Sequence, residues 1–144
     1  MPKGLLARKE DPVDLCSLVK EVKSNLKGNS CGAILTFTGM VRGKGADGAD
    51  VDHLEYEVFE EAARRAINDM VRAVMLIEGV HDAAICHKFG RFSPGEEVLY
   101  VVLATERSQI GFDTLRLIVN RVKHELPIWK KEYTTDGNYW IDVD

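Results

Sequence analysis

Cysteine is scarce in this 144-residue chain: Cys16, Cys31 and Cys86 are the only three, and no two of them form a C-x-x-C pair. That pattern excludes a zinc ribbon and a thioredoxin-type redox pair. The odd count and wide spacing fit a reducing cytoplasm rather than a disulfide scaffold, and each cysteine reads as a small buried hydrophobe. No stretch approaches the roughly 20 apolar residues of a membrane span. The opening Met-Pro-Lys-Gly-Leu-Leu-Ala-Arg-Lys-Glu has no apolar run of signal-peptide length. Histidine is sparse too. His53, His81, His87 and His124 make no H-x-x-x-H or H-E-x-x-H pair, so no metal site is expected. A G-x-S-x-G nucleophile elbow is missing. The net charge of -4, from 19 Lys and Arg against 23 Asp and Glu, lacks the basic excess of a general nucleic-acid binder.

What is present is an ordinary globular balance, 45% hydrophobic and 29% charged, in a length that suits one domain over 1–144. Gly4 to Arg8 reads as a short strand. Asp11-Pro12 predicts a helix start, with Asp as cap and Pro at the first helical position. Val13, Leu15, Cys16, Leu18, Val19, Val22 and Leu26 give that helix an apolar stripe, and Gly28 closes it. Ala33 to Val41 and Val51 to Val58 read as two strands of a long hairpin around a Gly- and Asp-rich loop. Phe59, Ala63, Ala66, Ile67, Met70, Val74 and Ile77 mark the second helix, which Gly79 ends. Ala83 to Phe89 and Val98 to Ala104 are strands around Ser93-Pro94-Gly95-Glu96. The second of these is nearly continuous in apolar residues, hence central and covered on both faces. Ser108 is placed to cap a third helix that Pro127 stops. Ile128 to Thr134 and Tyr139 to Val143 form a closing hairpin at Asp136-Gly137. The order β-α-β-β-α-β-β-α-β-β predicts an α+β domain with a mixed or antiparallel sheet and three helices.

One nucleotide-like pattern is a decoy. Gly43-Lys44-Gly45-Ala46-Asp47-Gly48 spells G-x-G-x-x-G, but a strand follows it where the dinucleotide site needs a helix N-terminus. Asp47 and Asp50 would also repel a pyrophosphate, so this is read as a mobile hairpin loop. Cys86 and His87 are neighbours on one strand and point to opposite faces. A set of cations stands near element ends: Arg42 after its strand, Arg107 before the third helix, Lys123 near that helix's C-terminus, and Lys130 and Lys131 beyond Pro127. Taken singly each is a solvated surface cation, and Lys123 also complements a helix dipole.

Together these blocks resemble the large subunit family of molybdopterin synthase. Gly32-Ala33-Ile34-Leu35-Thr36-Phe37-Thr38-Gly39-Met40-Val41-Arg42 is similar to the family's G-A-x-x-x-F-x-G-x-V-R strand. Leu54-Glu55-Tyr56-Glu57 resembles the following strand. His87-Lys88-Phe89-Gly90 with Pro94-Gly95-Glu96 resembles H-R-x-G-x-x-x-x-G-E, and Lys123, Pro127 and Trp129-Lys130-Lys131-Glu132 resemble K-x-x-x-P-x-W-K-x-E. The resemblance runs in order from Gly32 to Trp140. It implies an α/β-hammerhead-like domain that transfers sulfur to cyclic pyranopterin monophosphate. The sulfur comes from a small ubiquitin-like carrier ending in a Gly-Gly thiocarboxylate, and the product is a dithiolene. It further implies a homodimer at the core of a heterotetramer, with no cofactor, metal, nucleic acid or membrane involved. The implied pterin-site positions are Met40, Val41, Arg42, Glu106, Arg107, Lys123, Lys130, Lys131 and Glu132. By charge, Arg42 and Arg107 suit phosphate and pterin oxygens, and Lys123 and Lys130 suit acid-base work or anion stabilisation.

Two departures stand out. Glu106 occupies the place of a usual histidine, and the ending Ile141-Asp142-Val143-Asp144 has no match for the basic tail of many relatives. Both favour an alternative, a non-catalytic partner- or pterin-binding module on the same scaffold; Lys123 and Lys130 speak against it. A third reading is an unrelated phosphate-metabolite enzyme with a similar α+β core.

Overall fold

The apolar run from Val98 to Ala104 lies where its pattern places it, in the interior of a sheet with helices on both faces. In the computed structural model, which describes residues 2–45 and 47–141, the chain runs through ten elements. They are β1 (Lys3–Arg8), α1 (Leu15–Asn25), β2 (Ala33–Met40), β3 (Val51–Val58), α2 (Glu60–Met75), β4 (Val80–Phe92), β5 (Glu97–Thr105), α3 (Ser108–Glu125), β6 (Ile128–Thr134) and β7 (Gly137–Ile141). This is the predicted order and the predicted α+β class. The Asp142-Val143 end of the last predicted strand lies outside the described residues.

The strands follow the order β2-β5-β4-β3-β6-β7, and β1 pairs with β4. The β1–β4 pairing is parallel and the others are antiparallel, so the sheet is mixed. Alternation along β5 divides the core. Leu99, Val101 and Leu103 pack with Ile67, Met70 and Val74 of α2 and Ile118 and Val122 of α3. Tyr100, Val102 and Ala104 face Leu18 and Val22 of α1. Burying a strand on both faces requires apolar residues at every position, which is why β5 shows no polar alternation.

The long hairpin is not where the sequence put it. β2 pairs with β5 and β3 pairs with β4 and β6, so the two predicted hairpin strands are not partners. The long hairpin is β4–β5, turning at the predicted Ser93–Glu96 segment, where the Glu96 N–H bonds the Ser93 carbonyl at 3.1 Å. The Gly- and Asp-rich loop instead carries the chain between distant strands. It is closed by a Lys44–Asp50 bridge and by the Gly45 N–H on the Ala49 carbonyl at 2.8 Å. Its Ala46 lies outside the described residues, and β3 follows it, not a helix.

Two helix starts are also shifted. Asp14, not Asp11, caps α1, its carboxylate accepting from the Ser17 N–H at 2.8 Å. That bond to the carboxylate holds Asp14 below its usual pKa. Asp11 instead accepts from the Arg8 N–H at 2.8 Å in the turn before it. At α3 the cap position belongs to Arg107 and not to Ser108, and its side chain makes no capping bond.

β4 is longer than predicted because it serves two parts of the sheet. Residues up to Phe89 pair with β5 and β1, while Gly90, Arg91 and Phe92 pair with β3. Gly90 sits at that changeover with φ of 124°, a conformation that favours glycine. His87, three residues before this bend, lines the cavity described next.

Candidate functional site

A cleft of about 410 Å³ opens where the end of β2, the start of β5, the last turn of α3 and the start of β6 converge. Each element reaches it for a local reason. In β2 a bulge between Gly39 and Met40 shifts the register against β5. Bulges re-aim side chains and end pairing, and here Met40 turns outward, 56% exposed. Val41 is then pulled into the core. Its N–H bonds the Glu96 carbonyl at 3.0 Å and its carbonyl accepts from the Gly95 N–H at 2.8 Å. That anchor leaves Arg42 exposed on the cleft wall.

On the other wall, α3 stops at Leu126, whose backbone is extended, because Pro127 disfavours a helical residue before it. Lys123 sits in the last turn of α3 and Lys130 on β6, opposite Tyr56 of β3. Both lysines line the cleft, as do Met40 and Arg42. The apolar lining comes from Phe37, Val98, Leu99, Val122 and Ile128. Three cations therefore share one small, largely apolar cavity, the surroundings in which charge interactions strengthen.

The other sequence-predicted site residues lie elsewhere. Val41 is a core residue. Alternation along β6 turns Lys131 to the face opposite Lys130, where its ammonium stands 5.3 Å from the Tyr133 ring centre and 5.1 Å from that of Trp140. Glu132 is buried and lies so close to Gly45 that a Cβ there would run into its carboxylate. Glu106 and Arg107 are exposed beyond the far end of β5. Six residue steps along the strand lead from Leu99 in the cleft to Thr105, a path of about 20 Å.

Two titratable lining residues, His87 and Tyr56, were not predicted as site residues. His87 is 6% exposed and its Nδ1 is 2.7 Å from the Lys88 carbonyl oxygen. Burial lowers its pKa to about 4, opposed only in part by that backbone bond, so the ring is neutral at pH 7. Tyr56 meets the His87 ring edge-on at 5.1 Å between centres, and burial pushes its phenol up to about 12. The signal for His87 was its strand alternation with Ala83 and Ile85, which puts it on the α2–α3 face. Cys86 points the other way, as predicted, into the α1 side of the core. Burial pushes its thiol up to about 11, which rules it out as a nucleophile at neutral pH. Cys16 is exposed and Cys31 half-buried, so only Cys86 fits the buried-hydrophobe reading in full. Among the described residues no three His, Cys, Asp or Glu side chains are grouped to hold a metal ion. No helix among them is long and apolar enough to cross a membrane.

Comparison with known proteins places these features in a family. The model of the MoaE protein family matches residues 8–125. A Pyrococcus abyssi protein named molybdopterin synthase catalytic subunit is 30% identical over 126 residues, covering 88% of this chain and 84% of that protein. The crystal structure of molybdopterin synthase from Staphylococcus aureus superposes with a TM-score of 0.80 at 21% identity, over 98% of both chains. A complex of subunits 1 and 2 of molybdopterin-converting factor from Helicobacter pylori superposes with a TM-score of 0.68 at 18% identity, over 96% of this chain and 88% of that one. At those identities the two structures establish a common fold.

Proposed function

The chain belongs to the MoaE protein family, and on that premise we propose that it is the catalytic subunit of a molybdopterin synthase. In this reading it moves sulfur from the C-terminal thiocarboxylate of a small ubiquitin-like partner onto cyclic pyranopterin monophosphate. The observation that carries the reading is the convergence of Arg42, Lys123 and Lys130 on one cavity of about 410 Å³. A cavity of that size suits a small metabolite. A phosphate ester and a thiocarboxylate are both anions, and bringing both into a largely apolar cleft requires compensating positive charge. Arg42 offers a planar fork to phosphate oxygens. As the thiocarboxylate sulfur bonds to a pterin side-chain carbon, the carbon–oxygen bond already there breaks, the oxygen leaves with its electron pair and takes a proton from a cavity lysine, and the carrier becomes a thioester. Water then attacks its acyl carbon, releasing a carboxylate and leaving the sulfur on the pterin. Negative charge grows on the acyl oxygen in that step, and in this reading Lys123 and Lys130, which both line the cavity, stabilise it.

Glu106 and Arg107 enter this reading only through a second copy of the chain, because one copy holds them about 20 Å of strand away from the cleft. The reading therefore calls for a homodimer in which the Arg107 of one protomer meets the cavity of the other, and two sulfur carriers bound to it would make a heterotetramer. That a molybdopterin-converting factor from Helicobacter pylori was solved as a complex of two subunits supports a partner subunit here. The free cysteines suit work in the cytoplasm. The test is reconstitution of this chain with a thiocarboxylated partner and cyclic pyranopterin monophosphate, followed by mass spectrometry. Sulfurated pterin is the expected product. Binding of both components without product would favour the non-catalytic module instead.

A further inference from the structure

We propose that His87 is the specificity-determining residue of the cavity, its Nε2 accepting a hydrogen bond from a ring N–H of the bound pterin. The inference rests on the functional reading above and deepens it by assigning recognition of the heterocycle as distinct from recognition of the phosphate. The charged side chains of the cavity, Arg42, Lys123 and Lys130, can only donate hydrogen bonds. They suit oxygens of phosphate, carbonyl and thiocarboxylate. A reduced pterin also presents N–H groups, which need an acceptor, and an unmet donor in an apolar cleft is costly.

His87 is built to be that acceptor. The Lys88 carbonyl can only accept, so the proton of the neutral ring sits on Nδ1, donating across 2.7 Å. This leaves Nε2 without a proton. Nε2 has no protein partner among the described residues. It is also not sealed, since the buried side-chain nitrogens and oxygens left unpartnered there are His81 Nε2 and Asp82 Oδ1. The bare nitrogen is therefore open toward the cavity that His87 lines. The ring cannot easily turn away. Its Nδ1 is tied to backbone, and Tyr56 packs edge-on against it while itself meeting Phe92 edge-on at 6.0 Å. Among the described residues, the titratable groups that line the cleft with it are Tyr56 of β3, Arg42 after β2, Lys123 of α3 and Lys130 of β6. None is a carboxylate that would draw a proton onto the ring, so Nε2 stays an acceptor at neutral pH.

Three variants separate this role from a purely structural one. His87→Gln carries a carbonyl oxygen near the position of Nε2. His87→Asn keeps a donor for the Lys88 carbonyl but has no atom that reaches so far. His87→Leu removes both. Affinities for cyclic pyranopterin monophosphate and for inorganic phosphate are measured by calorimetry on folded full-length protein. The expected result is that His87→Asn and His87→Leu weaken the pterin by roughly 10- to 100-fold, with phosphate affinity unchanged and His87→Gln close to wild type. His87→Asn binding the pterin as tightly as wild type would overturn the proposal, and so would equal losses for pterin and phosphate. Should His87→Leu not fold, the Asn and Gln pair decides alone. Wild-type protein that binds inorganic phosphate but not the pterin would overturn the functional reading, and this one with it.

Discussion

Protonating His87 should destabilise the fold, and the size of that effect can be worked from the geometry. The ring is 6% exposed, and burial takes its pKa from 6.5 to about 4. Between those values the unfolded chain binds a proton that the folded chain refuses, so stability rises with pH across that window. His87 therefore costs nothing above about pH 7 and becomes a penalty as pH falls below about 6.5. Linkage puts that penalty at about 2 kcal/mol near pH 5, levelling off at about 3 kcal/mol below the folded pKa. Carboxylates titrate in the same range, so the measurement is a difference. Urea unfolding of wild type and His87→Gln is followed in parallel from pH 7.5 to 4.5. The wild type should lose about 2 kcal/mol more than the variant by pH 5, with the gap opening through pH 6. Parallel curves would show that the ring accepts a proton in the folded state, and the neutral-acceptor argument would fall with them.

Other expectations concern binding, packing and assembly. Arg42→Ala should leave the fold intact and weaken cyclic pyranopterin monophosphate binding by roughly 10- to 100-fold, the loss of a charge-assisted hydrogen bond; calorimetry at constant ionic strength reads it. Gly32→Ala should destabilise by about 1–3 kcal/mol in urea unfolding, because a Cβ there would run into the Glu106 carbonyl oxygen. Sedimentation at micromolar concentration should show a homodimer without the partner subunit. In mixed dimers, Arg107→Ala on one chain and Lys123→Ala on the other should restore one working cavity, whereas either variant alone should not; equal inactivity in the mixture would remove Arg107 from the site.

Much of the fold could be read from local pattern, because the physics there is local. The apolar run of β5, the stripe of α2 and the stop at Pro127 each follow from a short window of residues. Pairing is different. β2 and β3 are joined by a loop rich in Gly and Asp, the composition of a hairpin, yet β2 takes β5 as its partner. Nothing in either strand's own sequence states which edge it will meet, and both have apolar residues enough for several neighbours. The site divides in the same way. Arg42, Lys123 and Lys130 could be chosen because cations at element ends are visible in sequence. Lys131 could not be told from Lys130 until the register of β6 against Tyr56 set which one faces the cleft. Glu106 and Arg107 match family positions but sit beyond the far end of β5. His87 was weighed as a metal ligand and matched to a family block without a site role, although its alternation with Ala83 and Ile85 already placed it on the helix-covered face.

Sulfur transfer by the paired lysines is the centre of this account, and single-turnover kinetics test it most directly. Lys123→Ala and Lys130→Ala are made separately, checked for fold and for partner binding, and mixed with thiocarboxylated partner and cyclic pyranopterin monophosphate. Each variant should form sulfurated product roughly 100-fold or more slowly than wild type, the scale for removing one donor that stabilises a developing oxyanion. Near wild-type rates in both would contradict the assigned site.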